Sequence, residues 1–267
     1  MLEIEVAVSC LNKDIFKIQK NFKNIFNIQN VCIHVVHQVN DDYDYADVID
    51  LLSVNSNLRY SRLDVLGLPL SRNFALEKCS SDLLIPTDSD VVLFEEELEK
   101  ISSIFENDSD IDFITLKSFY DREKFQPRRK FSDKAFIHNK RSLLSVSSIE
   151  IVIKVDSFKM KNTKWDLDFG LGAKFSGGLE TVMLQNAYNA NLKGKFFPIP
   201  LSSHHELSTG AEVNLKRVFI RSAVFERIFG RSKGKILSLL FHVKNFKKFK
   251  KLGVLNVIKI IMSNKNI

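Results

Sequence analysis

Short segments rich in branched apolar residues alternate with amphipathic segments over the first 105 residues, and this alternation constrains the fold more than any other feature. The strands predicted from the first kind of segment are at 3–9, 31–36, 58–63 and 82–86. The helices predicted from apolar residues at helical spacing are at 14–26, 69–76 and 95–105. Strand and helix units joined by short connections predict an α/β fold, in which helices flank a mainly parallel central sheet.

After residue 105, strand and helix patterns follow one another less regularly. Residues 113–155 show little periodicity, and the one strand predicted there is at 149–155. An aromatic and glycine-rich loop at 165–178 precedes a predicted helix at 179–190 and a strand that begins at Gly194. We expect a main domain at 1–210, and a basic helical extension at 211–267.

Charge is distributed unevenly along the chain. The formal net charge is +7, yet residues 211–267 hold 14 Lys/Arg and 2 Asp/Glu, a net charge of +12. Within this tail, lysines are interspersed with Phe, Leu and Ile, which favours an anionic membrane surface and no nucleic-acid partner. On one continuous helix, one basic face would hold Phe241, Lys244, Lys248 and Lys251. Phe246 and Phe249 would lie on an apolar face beside it. A helical subdomain with a solvated basic face is the alternative.

Composition also indicates the cellular compartment of the protein. Three cysteines without CxxC spacing indicate reduced thiols. The first ten residues carry acidic residues where a signal peptide would have basic ones. No apolar run reaches the length of a membrane-spanning helix. We therefore expect a cytoplasmic protein, either free or peripheral at the inner face of the cell membrane.

Two aspartates directly follow the predicted strand at 82–86. In open α/β sheets, ligands bind at the carboxyl ends of the strands, where Asp88 and Asp90 would lie. Such a pair can share a hard cation that also binds substrate phosphates. A solvated acidic turn is the alternative for so short a pattern.

Three further motifs could carry chemistry. Ser71, the expected cap of its helix, precedes Arg72 and Asn73, and a helix N-terminus with an arginine can bind an anion. Glu180 lies near the start of a predicted helix, where the dipole favours a carboxylate in any case. The pair His204-His205 follows the last predicted strand, although such pairs more often pack or lie on the surface.

Five motifs follow one another along roughly residues 6–205: SRNxA, a strand leading into DxD, FGLGA, GxET, and a strand followed by a histidine. Their order resembles that of the family 2 glycosyltransferases. The resemblance is greatest to bacterial members that build surface polysaccharides. It implies a GT-A fold with a Rossmann-like sheet, and an inverting, metal-dependent transfer that uses Mn²⁺ or Mg²⁺. The implied donor is a nucleotide-sugar, taken as a UDP-sugar, and the acceptor a glycan or lipid-linked sugar. Residues 1–110 would then serve the donor and 111–210 the acceptor.

The resemblance also implies roles near the metal. Asp90 would ligate the cation, and Asp88 would face the ribose or the water shell of the metal. His204 or His205 would complete the metal site. Glu180 would be the base that deprotonates the acceptor.

The sequence departs from the family pattern next to the expected base. The family usually has an acid where this chain has Leu179, and Asp168 is the next candidate for the base.

Nucleotide contacts are implied for residues earlier in the chain. Arg72 and Asn73 match the segment that lines the nucleotide pocket. The residues expected to contact the nucleobase or ribose are Cys10, Asn12, Gln38 and Asp41. Two alternatives stay open: a nucleotidyltransferase with a similar sheet, and a catalytically impaired nucleotide-sugar-binding protein of the same fold.

Overall fold

The computed structural model of the protein describes residues 1–205 and 214–263. Within these residues, ten strands form one mixed sheet. The strands are β1 (Ile4–Leu11), β2 (Val31–Gln38), β3 (Leu58–Leu63), β4 (Leu83–Asp88), β5 (Val92–Leu93), β6 (Phe113–Asp121), β7 (Gln126–Pro127), β8 (Phe136–Ile137), β9 (Ile151–Lys154) and β10 (Gly194–Ser203).

The strand order places several carboxyl ends at one edge. The order is β3-β2-β1-β4-β9-β6-β10-β5, with β7 beside β6 and β8 beside β10. The first four strands are parallel to one another, whereas β9 is antiparallel to both β4 and β6. Because β10 is parallel to β6, the carboxyl ends of β1, β2, β4, β6 and β10 face the same way.

Helices cover both faces of the sheet. The α-helices are α1 (Ile18–Asn21), α2 (Ala46–Ser53), α3 (Leu68–Lys78), α4 (Leu98–Asn107), α5 (Val155–Met160), α6 (Leu179–Asn189), α7 (Leu215–Phe229), α8 (Arg231–Lys244), α9 (Phe246–Phe249) and α10 (Val254–Met262). Short 3₁₀ helices lie at Asn12–Lys17, Lys23–Ile25, Glu95–Glu97, Ser142–Ser145, Ser148–Glu150 and Lys250–Leu252. Neighbouring residues of β2 belong to different cores, with Val35 on the side of α1, α2 and α4, and Val36 on the side of α3 and α6. Strand β2 is therefore buried on both faces, as expected for a central parallel strand of a covered sheet.

The predicted fold class, α/β with a mainly parallel central sheet, is confirmed, with three local differences. The segment 14–26 is not one helix but a 3₁₀ turn, α1 and a second 3₁₀ turn. The apolar residues at helical spacing are still buried, because both helix types bring residues three apart onto one face. These residues are Ile15, Ile18, Phe22, Ile25 and Phe26. Strand β6 was not predicted. Gly67, not Ser71, precedes the first residue of α3, and the Ser71 hydroxyl donates instead to Oγ of Ser9 (2.8 Å).

The C-terminal helices pack on the main body through α7. Val224 of α7 shares a core with Phe169 and Leu179. The single basic helix expected across 241–251 is wrong, since α8 ends at Lys244 and the chain continues as the short α9 and the 3₁₀ helix at Lys250–Leu252. The predicted domain boundary near residue 210 lies outside the described residues. None of the described helices combines the length and apolar composition that crossing a bilayer requires.

Candidate active site

The carboxyl end of β4 carries the two aspartates singled out in the sequence. The strand is buried through Thr87 and emerges at Asp88, which is partly exposed. Asp90 follows two residues later, beyond the strand. Since β4 lies between β1 and β9, both carboxylates lie at the centre of the edge where the strand ends converge.

Arg72 connects this strand end to a second element. Its Nη2 donates to Oδ1 of Asp88 (3.0 Å), and its Nη1 donates to Oε1 of Glu180. The arginine side chain is only 1% exposed. Burial alone would lower the pKa of Arg72, but the two carboxylates outweigh it and raise that pKa. A fixed cation therefore holds the two acidic groups on either side of itself.

Glu180 lies in the first turn of α6, where the helix dipole stabilises a carboxylate. Gly178 precedes this helix in the left-handed conformation (φ +84°). A Cβ at this glycine would lie 2.3 Å from Cγ2 of Val224 in α7. The entry of the chain into α6, and with it the position of Glu180, is thus fixed by close packing against α7.

Asp90 faces a histidine from the last strand. Its Oδ2 lies 3.2 Å from Nε2 of His204, which follows β10. This contact outweighs burial and lowers the pKa of Asp90. Nη1 of Arg128 donates to the carbonyl oxygen of His204 (2.6 Å) and lies 3.3 Å from its Nδ1. Arg128 thereby orients the ring toward Asp90.

The described side chains at this edge of the sheet supply only part of the ligand set that a divalent cation needs. Within 1–205 and 214–263, no three His, Cys, Asp or Glu side chains come close enough to form a complete protein metal site. Asp88 is engaged by Arg72, and His205 is exposed. Nε2 of His204 is buried and, among the described residues, lacks a hydrogen bond of good geometry. Asp90 and His204 therefore fit as two ligands of a cation whose other ligands are water and substrate oxygens.

Two further predicted site residues, Asn73 for the nucleotide pocket and Asp168 for the base, make structural contacts. Asn73 exchanges two hydrogen bonds with the backbone of Trp165, each 2.8 Å long, and so holds the aromatic loop against α3. Asp168 lies in this loop and accepts from Nη2 of Arg227 in α7 (2.7 Å). Nε of the same arginine lies 2.8 Å from Asp166. The loop before α6 is thus tied to α3 on one side and to α7 on the other.

The residues predicted to contact the nucleotide lie at the ends of β1 and β2. Asn12 exchanges two hydrogen bonds with Asn40, and the amide of Gln38 donates to the carbonyl oxygens of Val65 and Gly67. These contacts shape the loops beside the site.

Two of the predicted nucleotide contacts are already engaged within the protein. Asp41 accepts from the Tyr45 hydroxyl, and burial together with this contact raises the pKa of Tyr45 to about 12. The Cys10 thiol is buried against Val36, and burial raises its pKa. It would have to leave the core to reach a nucleotide.

The sequence reasoning missed a buried carboxylate close to the same strands. Glu150 accepts from Nη2 of Arg129 (2.6 Å) and from the hydroxyl of Ser118 in β6 (2.9 Å). Burial raises the pKa of Glu150, against the opposing effect of Arg129. The signal was present, because Ser147 and Glu150 form a capping box, and Arg129 lies in the basic run Arg128-Arg129-Lys130.

Comparisons with known structures agree with this architecture. The chain is similar to S. aureus TarS residues 1–349, with a TM-score of 0.65, 13% identity, and coverage of 98% of this chain and 81% of that one. It is similar to the same protein in complex with UDP-GlcNAc, with a TM-score of 0.68, 14% identity, and coverage of 95% and 76%. It is also similar to the mannosyltransferase PcManGT from Pyrobaculum calidifontis in complex with GDP-Man and Mn²⁺, with a TM-score of 0.64, 9% identity, and coverage of 99% and 88%.

At these identities the likenesses show the fold, and the GT-A type expected from the resemblance is confirmed. No curated protein matches the sequence significantly. The sequence model described as "Glycosyl transferase family 2" matches residues 6–166, which span β1 to β9, the aspartates after β4, and Arg72. The chain therefore belongs to glycosyl transferase family 2.

Proposed function

We propose that the protein transfers a sugar from a nucleoside diphosphate donor, a UDP-sugar, to a hydroxyl group of a glycan or lipid-linked acceptor. The observation that carries this proposal is the buried Arg72, which contacts both Asp88 at the end of β4 and Glu180 at the start of α6. One guanidinium thus joins the donor end of the site to the carboxylate that would act on the acceptor. Solved structures of similar fold with bound UDP-GlcNAc or GDP-Man support a nucleotide-sugar as donor.

On the donor side, Asp90 and His204 would hold a Mn²⁺ or Mg²⁺ ion. When bound, such an ion stabilises the negative charge that develops on the departing diphosphate. Asp88, held by Arg72, would face the ribose or the water shell of the metal. Asn12 and Asp41 lie on the neighbouring loops, where we propose that they contact the nucleoside.

On the acceptor side, Glu180 would take the proton from the attacking hydroxyl. A general base must be held within hydrogen-bond reach of the proton that it takes, and the contact with Arg72 fixes the position of this carboxylate. One base and direct displacement produce inversion at the anomeric carbon. Leu179 supplies no second acid, so Glu180 would carry this role alone.

The same contact supports one alternative, a protein of this fold that binds nucleotide-sugars without transferring the sugar. Glu180 is already engaged by Arg72, and a base must have a lone pair free toward the acceptor. In that case donor binding would persist and turnover would be absent. A nucleotidyltransferase has no comparable structural support.

The experiment that tests the proposal separates binding from turnover. The protein is screened by thermal shift against UDP, GDP and dTDP and their sugars, with Mn²⁺, Mg²⁺ or EDTA. The release of nucleoside diphosphate is then measured for each sugar that stabilises it. Stabilisation by one nucleotide with metal-dependent release supports transfer. Stabilisation without release with any sugar or acceptor supports the binding protein.

We propose that the pathway is the building of bacterial surface polysaccharide and that the enzyme works in the cytoplasm, at the inner face of the cell membrane. A lipid-linked acceptor would be presented there. The basic C-terminal helices, net positive over residues 211–267, support this location.

A further inference from the structure

The outer face of α8 is apolar and open to solvent. Ile236, Leu240 and Val243 are 58%, 59% and 71% exposed. Their spacing of four and three residues places them in one stripe along the helix. Single exposed apolar residues are ordinary on protein surfaces, but an aligned stripe is not.

Helix α10 repeats this arrangement. On its inner side, Val257 and Ile261 are buried in a cluster that includes Val218 of α7. On its outer side, Leu255 is 73%, Ile258 41% and Met262 54% exposed. A helix that is apolar on its outer side as well as its packed side is expected to be covered on both.

Basic residues border both stripes, and acidic residues are absent. Residues 231–263 contain nine Lys/Arg and no Asp/Glu. At about 100° per residue, Lys233 and Lys244 project about 60° and about 80° from Ile236, directly beside the α8 stripe. Lys259 borders the exposed arc of α10 in the same way. Four exposed lysines lie in and beside the segment that joins α8 to α10: Lys244, Lys247, Lys250 and Lys251.

We propose that the outer face of α8 and α10, named here the α8–α10 face, docks on an anionic lipid bilayer. The apolar stripes would enter the boundary between headgroups and acyl chains, and the bordering lysines would contact lipid phosphates. An isologous contact with a second copy would place lysines against lysines with no acid between them. A nucleic-acid groove would use the lysines but leave the apolar stripes uncovered.

The residues that make this face differ from those expected in the sequence. Phe241 was expected on the basic face with the lysines, and Phe249 on the apolar face beside it. Instead, Phe241 packs against Phe225 and Phe249, with ring centroids 6.0 Å and 6.3 Å apart. They belong to the packing among the helices. The exposed stripes, not these rings, are therefore the residues to alter.

The test is sedimentation of the full chain with vesicles of phosphatidylcholine alone, or with one third phosphatidylglycerol. Leu240→Ser/Val243→Ser tests the α8 stripe, Leu255→Ser/Ile258→Ser the α10 stripe, and Lys244→Gln/Lys251→Gln the charge. The matched control is Val54→Ser, since Val54 is 83% exposed at the end of α2 and far from the tail in sequence. We expect the wild type and the control to bind the anionic vesicles at low salt. Each double variant should bind at least tenfold more weakly.

Two outcomes would overturn the proposal. One is equal sedimentation of all variants with anionic vesicles. The other is a dimer in solution that the Leu240→Ser/Val243→Ser variant dissociates, with no vesicle binding by the wild type. Circular dichroism and thermal unfolding establish that each variant is folded. Because sedimentation requires no donor turnover, a failure of the proposed glycosyl transfer would leave this test intact.

Discussion

Arg72 donates to Glu180 across 108 positions of sequence, and it does so from a side chain that is almost completely buried. The arginine belongs to α3 and the glutamate to α6. A carboxylate proposed to act on the acceptor therefore takes its orientation from a residue that also contacts the donor-side Asp88. Loss of either partner should have distinct and measurable effects.

Glu180→Gln should lower kcat by about 10²-fold or more, because the amide cannot accept the proton of the acceptor. Donor binding should be unchanged, as measured by thermal shift with the nucleotide that stabilises the wild type. A variant with normal kcat and raised KM would show that Glu180 binds rather than deprotonates. Asp168 would then be the residue to test next.

Arg72→Met should reduce the free energy of unfolding by about 3 kcal/mol or more, because it leaves two carboxylates without their buried partner. Arg62→Met is the matched control, since its ion pair with Asp64 is exposed on both sides. That change should cost less than about 1 kcal/mol. Urea unfolding of both variants measures the difference, and equal losses would contradict a structural role for the Arg72 bridge.

Asp90→Asn and Asp88→Asn should each abolish transfer and weaken metal-dependent nucleotide binding, and Asp90→Asn should do so with little loss of stability. Asp90 would lose its charge beside His204, and Asp88 would lose its ionic contact with Arg72. Nucleotide titrations with Mn²⁺ and with EDTA separate the two effects. Near-normal turnover of Asp90→Asn in Mn²⁺ would rule out its role as a metal ligand.

Gly178→Ala should destabilise the protein, and adding Val224→Ala should recover part of that loss. The new Cβ would lie 2.3 Å from Cγ2 of Val224, an overlap that costs about 1–3 kcal/mol. The left-handed backbone at Gly178 (φ +84°, ψ 7°) adds a cost that Val224→Ala does not relieve. Thermal unfolding of the wild type, both single variants and the double variant measures the coupling between the two positions. A double variant whose loss equals the sum of the single losses would mean that α7 yields freely.

Acid should destabilise the protein partly through His138. Burial lowers the pKa of His138 to about 4 from 6.5. Between these values the unfolded imidazole binds a proton that the folded one does not, so stability falls as the pH drops from 6.5 toward 4. The full effect is about 3 kcal/mol. His138→Gln should therefore lose less stability than the wild type between pH 7 and pH 4 in urea unfolding, and parallel losses would contradict this.

The sequence was sufficient for elements whose pattern is local. The strands β1 to β4 and helix α6 were predicted close to their observed bounds, because apolar spacing and flanking turns define them. Strand β6 was missed, since Lys117 and Ser118 interrupt an otherwise apolar run, and its partners β9 and β10 are distant in sequence. Pairing of that kind cannot be deduced from periodicity.

The candidate site likewise has residues that could be predicted from local sequence and residues that could not. Asp88 and Asp90 could be placed at a strand end from local pattern alone. The bridge through Arg72 to Glu180, and the pair Arg129 with Glu150, join segments that only the folded chain brings together. Asn73 shows most clearly what the sequence could not reveal, because both ends of its amide bond the backbone of Trp165, 92 positions away.

The position of strand β9 determines how a shorter fragment of the chain should behave. It is four residues long and lies antiparallel between β4 and β6, so residues after position 150 complete the hydrogen bonding of β4. A fragment that ended near residue 110 would present Leu83 and Leu84 as an open, apolar sheet edge. Such an edge recruits strands from other molecules. The donor-binding half, expressed alone, should therefore aggregate rather than persist as an independent nucleotide-binding unit.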